Sequence, residues 1–98
     1  MNIQKMMAQA QAMQTKVQAE LEEMRVEASA GGEMVKIVLS GTKEIQSVKI
    51  DKAAVDPEDV ETLEDLVLAA LREASRRVDE AVQKKTVSML GGMMPGMK

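Results

Sequence analysis

Among its 98 positions the sequence has no cysteine, no histidine and no aromatic residue. Without Cys there are no disulfides and no thiolate nucleophile, which suits a reducing cytoplasm. Without His as well, zinc loses its usual ligands and Ser–His or Cys–His catalysis is impossible. Nothing in the remaining carboxylates and lysines suggests a catalytic pocket, so no enzyme, cofactor or metal site is expected. With no Phe, Tyr or Trp there is no platform on which unpaired bases would stack. Proline is scarce too, with two in the chain. No apolar run is long enough to span a bilayer, and the Gln-rich start MNIQKMMAQAQ lacks the continuous apolar core of a signal peptide, so no membrane partner is expected.

What is present is Val, Ile, Leu, Ala and ten methionines. From Ile3 the apolar residues fall at Ile3, Met6, Ala10, Met13, Val17, Leu21, Met24 and Ala28. This 3–4 spacing predicts a helix of about 25 residues, roughly 38 Å long. Gly31-Gly32 breaks it. Val35, Ile37 and Leu39 then alternate as a strand, Ser40-Gly41-Thr42-Lys43 makes a turn, and Val48 and Ile50 alternate in a second strand. Residues 26–30 fit either the end of the helix or a third, short edge strand. Asp56-Pro57-Glu58-Asp59 predicts a helix start with Asp56 as N-cap and Pro57 in the first turn. Val60, Leu63, Val67, Ala70, Ala74, Val78 and Ala81 carry that helix to about Thr86. The class is α+β, in the order α-β-β-(β)-α.

Helix lengths imply a partner. A seven-residue strand is only about 23 Å long, so two helices of this length overhang any sheet the chain can build. In LEDLVLAAL, Leu66 and Leu68 leave the main stripe, making the second helix apolar nearly all round there. A homodimer is expected, with Leu63, Leu66, Leu68 and Leu71 at its interface.

The net charge of −3 conceals a segregation. Residues 1–19 hold Lys5 and Lys16 and no acid, and at 100° per residue the two lysines share a face with Gln9 between them. Glu20, Glu22, Glu23 and Glu27 follow. The second helix opens with Asp56, Glu58, Asp59, Glu61, Glu64 and Asp65, and later carries Arg72, Arg76, Arg77, Lys84 and Lys85 against Glu73, Asp79 and Glu80. Dipole complementation alone accounts for that order in the second helix, but not for acids at the C-terminal end of the first. The bases gather at the start of one helix and the finish of the other, the ends remote from the sheet. Such a field steers a polyanion to one surface.

The Met- and Gln-rich first helix, EASAGGEMVKIVLSGTKEIQSVKID, DPEDVETLEDLVLAALREA and the tail GGMMPGM resemble the YbaB/EbfC family of bacterial nucleoid-associated proteins over essentially the whole chain. The resemblance implies an α-β-β-β-α protomer with a small antiparallel sheet, in a homodimer whose two long helices project like tweezers. It implies double-stranded DNA as the partner, a place in the cytoplasm and nucleoid, and possible effects on gene expression. The DNA-contacting residues it implies are the bases on the projecting helices: Lys5, Lys16, Arg72, Arg76, Arg77, Lys84 and Lys85.

Smaller features have plainer readings. Gly31-Gly32 lacks the rest of any phosphate-binding loop and reads as a turn. Asp51, Asp56, Glu58 and Asp59 match no calcium loop. Residues 1–90 form one domain and 91–98 a Gly/Met-rich tail, read as a disordered end, with docking of Met93 and Met94 as the other option. The function expected is duplex-DNA binding through phosphate contacts. The alternative is a protein-interaction adaptor whose Met-rich helices grip an amphipathic partner.

Overall fold

The computed structural model describes residues 2–91. In order, α1 (Ile3–Glu23), β1 (Val26–Ala30), β2 (Val35–Leu39), β3 (Ile45–Ile50), a 3₁₀ turn (Lys52–Ala54) and α2 (Val60–Gly91) make the α-β-β-β-α chain. The strands form an antiparallel meander in the order β1-β2-β3.

Caps and strand pairing set the boundaries. Asn2 caps α1, its side chain accepting from the Lys5 N–H at 3.2 Å. The helix stops earlier than the apolar spacing suggests, at Glu23, and residues 26–30 are strand. The same residues satisfy both periods, and the ladder to β2 decides, because it buries Ala28 opposite Ile37. Arg25 then closes α1 by donating to the Glu22 and Met24 carbonyls, both at 2.8 Å. The second predicted strand begins earlier than its alternation showed, at Ile45, across a bulge between Val38 and Leu39.

The start of α2 corrects the expectation that Asp56 caps it. Asp56 instead organises a preceding turn, its carboxylate accepting from the Glu58 N–H at 2.9 Å. Asp59 is the residue at the helix start, bonding the Thr62 N–H at 3.3 Å and the Thr62 hydroxyl at 2.6 Å. At its far end α2 passes Thr86 and continues through Gly91. The tail readings for Met93 and Met94 lie outside the described residues.

Cross-strand pairing puts three apolar rows on one sheet face: Val26-Leu39-Ile45, Ala28-Ile37-Val48 and Ala30-Val35-Ile50. The other face carries Glu27, Ser29, Lys36, Val38, Ser47 and Lys49. Helix α2 lies over β1 and β2. Among the described residues the fully buried core is Ala28, Val35, Ile37, Leu39, Ala70, Ala74 and Val78, with Leu63, Leu66, Val67 and Leu71 partly buried against it. Leu66 therefore belongs to the core side of the helix, not to an outward face. Its Cδ2 lies 2.8 Å from where a Cβ on Gly31 would sit, and Gly31 has φ +64°, so the β1–β2 turn needs glycine there twice over.

The inward row of β3 is left uncovered: Ile45, Val48 and Ile50 are 61%, 49% and 44% exposed. No residue of α1 is fully buried. The molecule is correspondingly drawn out, 69 × 27 × 15 Å with a radius of gyration of 18.9 Å, against about 13 Å for a compact chain of this length.

Candidate nucleic-acid interface

Three contacts fix the direction of α2. Leu66 packs beside Gly31 at the end of β1. Arg77 donates to the Glu27 carbonyl at the start of β1, at 3.0 Å. Lys43, in the β2–β3 turn at that same end of the sheet, pairs with Asp79 at 2.9 Å. The helix thus runs antiparallel to β1, and beyond Asp79 another 12 residues, about 18 Å, pass the sheet edge. Helix α1 meets the sheet at this end too, where the Gly41 N–H donates to the Leu21 carbonyl at 2.8 Å. Both arms leave the sheet from one end.

The arms carry a distinct charge. All 16 acidic residues lie between Glu20 and Glu80, together with eight of the 13 bases. The other five bases are Lys5, Lys16, Lys84, Lys85 and Lys98, all outside that span and unaccompanied by an acid. Lys5 and Lys16 are exposed on α1, about 17 Å apart along its axis. On α2, Lys84 is exposed and Lys85 half-buried. The formal −3 is thus the sum of an acidic stretch from residue 20 to residue 80 and two basic flanks.

The arginines of α2 divide. Arg72 is exposed on the length of helix that overlies the sheet. Arg76 is held by Glu73, its Nε 2.7 Å from Glu73 Oε1, and by Glu80 one turn on. Arg77 spans Glu73, at 3.2 Å, and the Glu27 carbonyl. The hydrogen bond from Arg76 holds the Glu73 carboxyl down at about 2, against some opposition from burial and with further help from the charge of Arg76 and from Arg77; the same bond pushes Arg76 upward. These two guanidiniums already have carboxylate partners, so a phosphate meeting them must compete for their hydrogen bonds.

Of the four leucines assigned to a partner, Leu63, Leu66 and Leu71 pack partly on the chain's own core and Leu68 is 47% exposed. Two residues escaped the sequence reading. Lys43 was seen only as a turn residue, and Arg25 was passed over. Lys43 has a φ of +64°, which its residue type does not signal, and pairs with Asp79 of α2. Among the described residues no cluster of three acidic side chains is placed to hold a metal ion, and no helix is long and apolar enough to cross a membrane.

Comparison with known proteins gives the family and the fold. The family model described as the YbaB/EbfC DNA-binding family matches residues 1–93. The chain is 49% identical to a nucleoid-associated protein of Alkaliphilus metalliredigens, over 98% of this chain and 88% of that one. It is 50% identical to a nucleoid-associated protein of Moorella thermoacetica, over 97% and 95% of the two chains. The crystal structure of the uncharacterized protein HP0035 from Helicobacter pylori superposes with a TM-score of 0.73 at 20% identity, covering 92% of this chain and 98% of that one, which shows the fold. From Met1 to Met93, in sequence and in element order, the chain belongs to the YbaB/EbfC DNA-binding family.

Proposed function

We propose that the protein is a nucleoid-associated protein that holds double-stranded DNA along its two basic arms, through phosphates and not base edges. The observation that carries this reading is the charge segregation: Lys5, Lys16, Lys84 and Lys85 stand on helices leaving one end of an acidic body. Phosphate contacts fix position without reading sequence, and the cations at the start of α1 and the end of α2 are all lysines, point charges suited to phosphate. Of the remaining candidates, Arg72 has an exposed side chain, whereas Arg76 and Arg77 serve the helix surface first. The nucleoid is the corresponding location, and nucleoid organisation and gene expression the corresponding effects.

The working unit in this reading is a homodimer. A core of seven fully buried apolar side chains, three of them alanine, is small for independent stability. The uncovered row Ile45, Val48 and Ile50 is continuous with that core and offers a second copy an apolar face to complete. A dimer would also set two pairs of arms around one duplex.

The test is duplex affinity over a salt series. With five or so phosphates neutralised, log K should fall against log[salt] with a slope of about −4 to −5. Single strands should bind more weakly, for want of aromatic side chains. One observation favours a second reading: Ile3, Met6 and Met7 are each more than half exposed on α1. A protein-interaction adaptor would use that strip on an amphipathic helix. Binding to DNA that ignores salt, or none at about 50 mM salt, would replace the first reading by the second.

A further inference from the structure

The turn between β2 and β3 touches both arms. Gly41 is buried, and its N–H donates to the Leu21 carbonyl in the last turn of α1 at 2.8 Å. Two residues on, Lys43 pairs with Asp79 of α2 at 2.9 Å, just where that helix leaves the sheet. The turn itself is held internally. The buried Ser40 hydroxyl accepts from the Thr42 N–H at 3.2 Å and the Glu44 N–H at 3.1 Å, while the Ser40 N–H donates to the Glu44 carbonyl at 2.9 Å and the Lys43 N–H to the Ser40 carbonyl at 3.0 Å. Four hydrogen bonds within five residues make a stiff loop.

The approach of α1 to this loop admits no side chain. A Cβ on Gly41 would lie 2.6 Å from the Leu21 carbonyl oxygen, 3.0 Å from Leu21 Cα and 3.1 Å from Met24 Sδ. The first two are backbone atoms, which cannot swing aside. Unlike Gly31 and Gly32, Gly41 does not have a left-handed φ, so what glycine supplies here is room. On the far side of the contact, α1 has no buried residue to fix its direction.

We infer that the turn Ser40–Glu44 is a clasp that sets the angle between the two arms, with Gly41 as the positioning residue for α1 and Lys43 as its hold on α2. A side chain at position 41 levers α1 away at its C-terminal turn. Lys5 lies 16 residues from Leu21, about 24 Å along the helix, so a tilt of about 10° carries it about 4 Å. That exceeds the tolerance of a charged hydrogen bond. The inference concerns the arms' geometry; its consequence for DNA rests on the reading of α1 as a DNA-contacting arm.

Because the chain has no cysteine, Gln11→Cys and Gln83→Cys introduce the only two thiols, one exposed position on each arm. Spin labels there, in protein diluted with unlabelled chain, report the arm-to-arm distance by pulsed dipolar spectroscopy. Gly41→Ala should shift the mean by several ångströms. Lys43→Gln, which spares the core, should broaden the distribution and is decisive if Gly41→Ala does not fold. Gly32→Ala is the control: its φ is +63°, so alanine strains it, yet nothing lies within 4 Å, so stability falls while the distance stays. The clasp is overturned if folded Gly41→Ala and Lys43→Gln keep the parent distribution, or if Gly32→Ala moves it as much. Duplex affinity is read separately. A shifted distance with weaker binding supports both clasp and DNA reading; a shifted distance with unchanged affinity keeps the clasp and removes α1 from the DNA contact.

Discussion

Helices α1 and α2 have the same apolar spacing and opposite fates. In α2 the 3–4 stripe through Val67, Ala70, Ala74 and Val78 lies on the sheet, and its small residues let helix and strands approach closely. In α1 the stripe through Ile3, Met6 and Met13 stays exposed. Period alone therefore says that a helix has a face, not whether the face is filled. What separates them is reach: α2 returns across the strands it follows, whereas α1 is joined to the sheet's turn through Leu21 in its last turn. A stripe rich in Ala fits a flat sheet at short range, and one rich in Met fits surfaces that differ from one encounter to the next.

The largest effect that would break this contrast is at β3. In the homodimer reading Val48→Glu buries an unpaired carboxylate at a cost of several kcal/mol, so light scattering should find monomer or unfolded chain. A dimer of unchanged mass would place the partner elsewhere, and Leu68→Glu would then probe the outward side of α2. Next is the core itself. Ile37→Ala should cost about 2–5 kcal/mol by urea titration, because Ile37 is fully buried between β1, β3 and α2. Met7→Ala on α1 should stay within about 0.5 kcal/mol; a cost as large as that of Ile37→Ala would mean that α1 packs in the assembled protein.

Third comes charge. Lys5→Glu with Lys16→Glu should leave stability within about 0.5 kcal/mol per site while weakening duplex binding uniformly across sequences. The salt slope should drop by about 1 for each lysine that met a phosphate. Arg76→Gln, which removes a base already paired with Glu73 and Glu80, should change that slope less.

The smallest effect is acid. Glu73 titrates at about 2 in the folded chain against an ordinary 4.5, so between those values the unfolded state binds more protons. Its stabilisation is complete above pH 4.5 and is lost as pH falls through about 2. Thermal unfolding should therefore be insensitive to Glu73→Gln in its slope from pH 7 to 5, and the variant should show a shallower decline below 4.5. Equal slopes in both windows would mean that the exposed Arg76 pair is screened to nothing.

The element order was legible in the sequence because each element carries its own period and its own punctuation. The limits of α1 and α2 were not. Residues 26–30 satisfy both helix and strand spacing, and only pairing across the hairpin with residues 35–39 resolves them. Asp56 and Asp59 are equally good caps by type, and the turn closed by Asp56 decides between them. For the candidate interface, the clustering of bases toward the helix ends was visible. That Glu73 and Glu80 draw in Arg76 follows from i,i+3 and i,i+4 spacing on one helix, whereas the reach of Arg77 back to a β1 carbonyl depends on where α2 crosses the sheet. Leu66, read as leaving the main stripe, packs against the core because of that crossing too.

One continuous helix from Val60 to Gly91 has a consequence for how the molecule breathes. Its middle shares the core's cooperative unit, so amide hydrogens around Ala70–Val78 should exchange only on global unfolding, and those of the Lys84–Lys85 arm are tethered to that unit by unbroken helix. Amides of α1 from residue 3 to residue 16 have no buried side chain to protect them and should exchange by local fraying. The two arms, alike in charge, therefore differ in the entropy each has to lose on meeting a ligand. Whatever orders α1 would register first as slowed exchange in Ile3–Lys16, with the core's protection hardly altered.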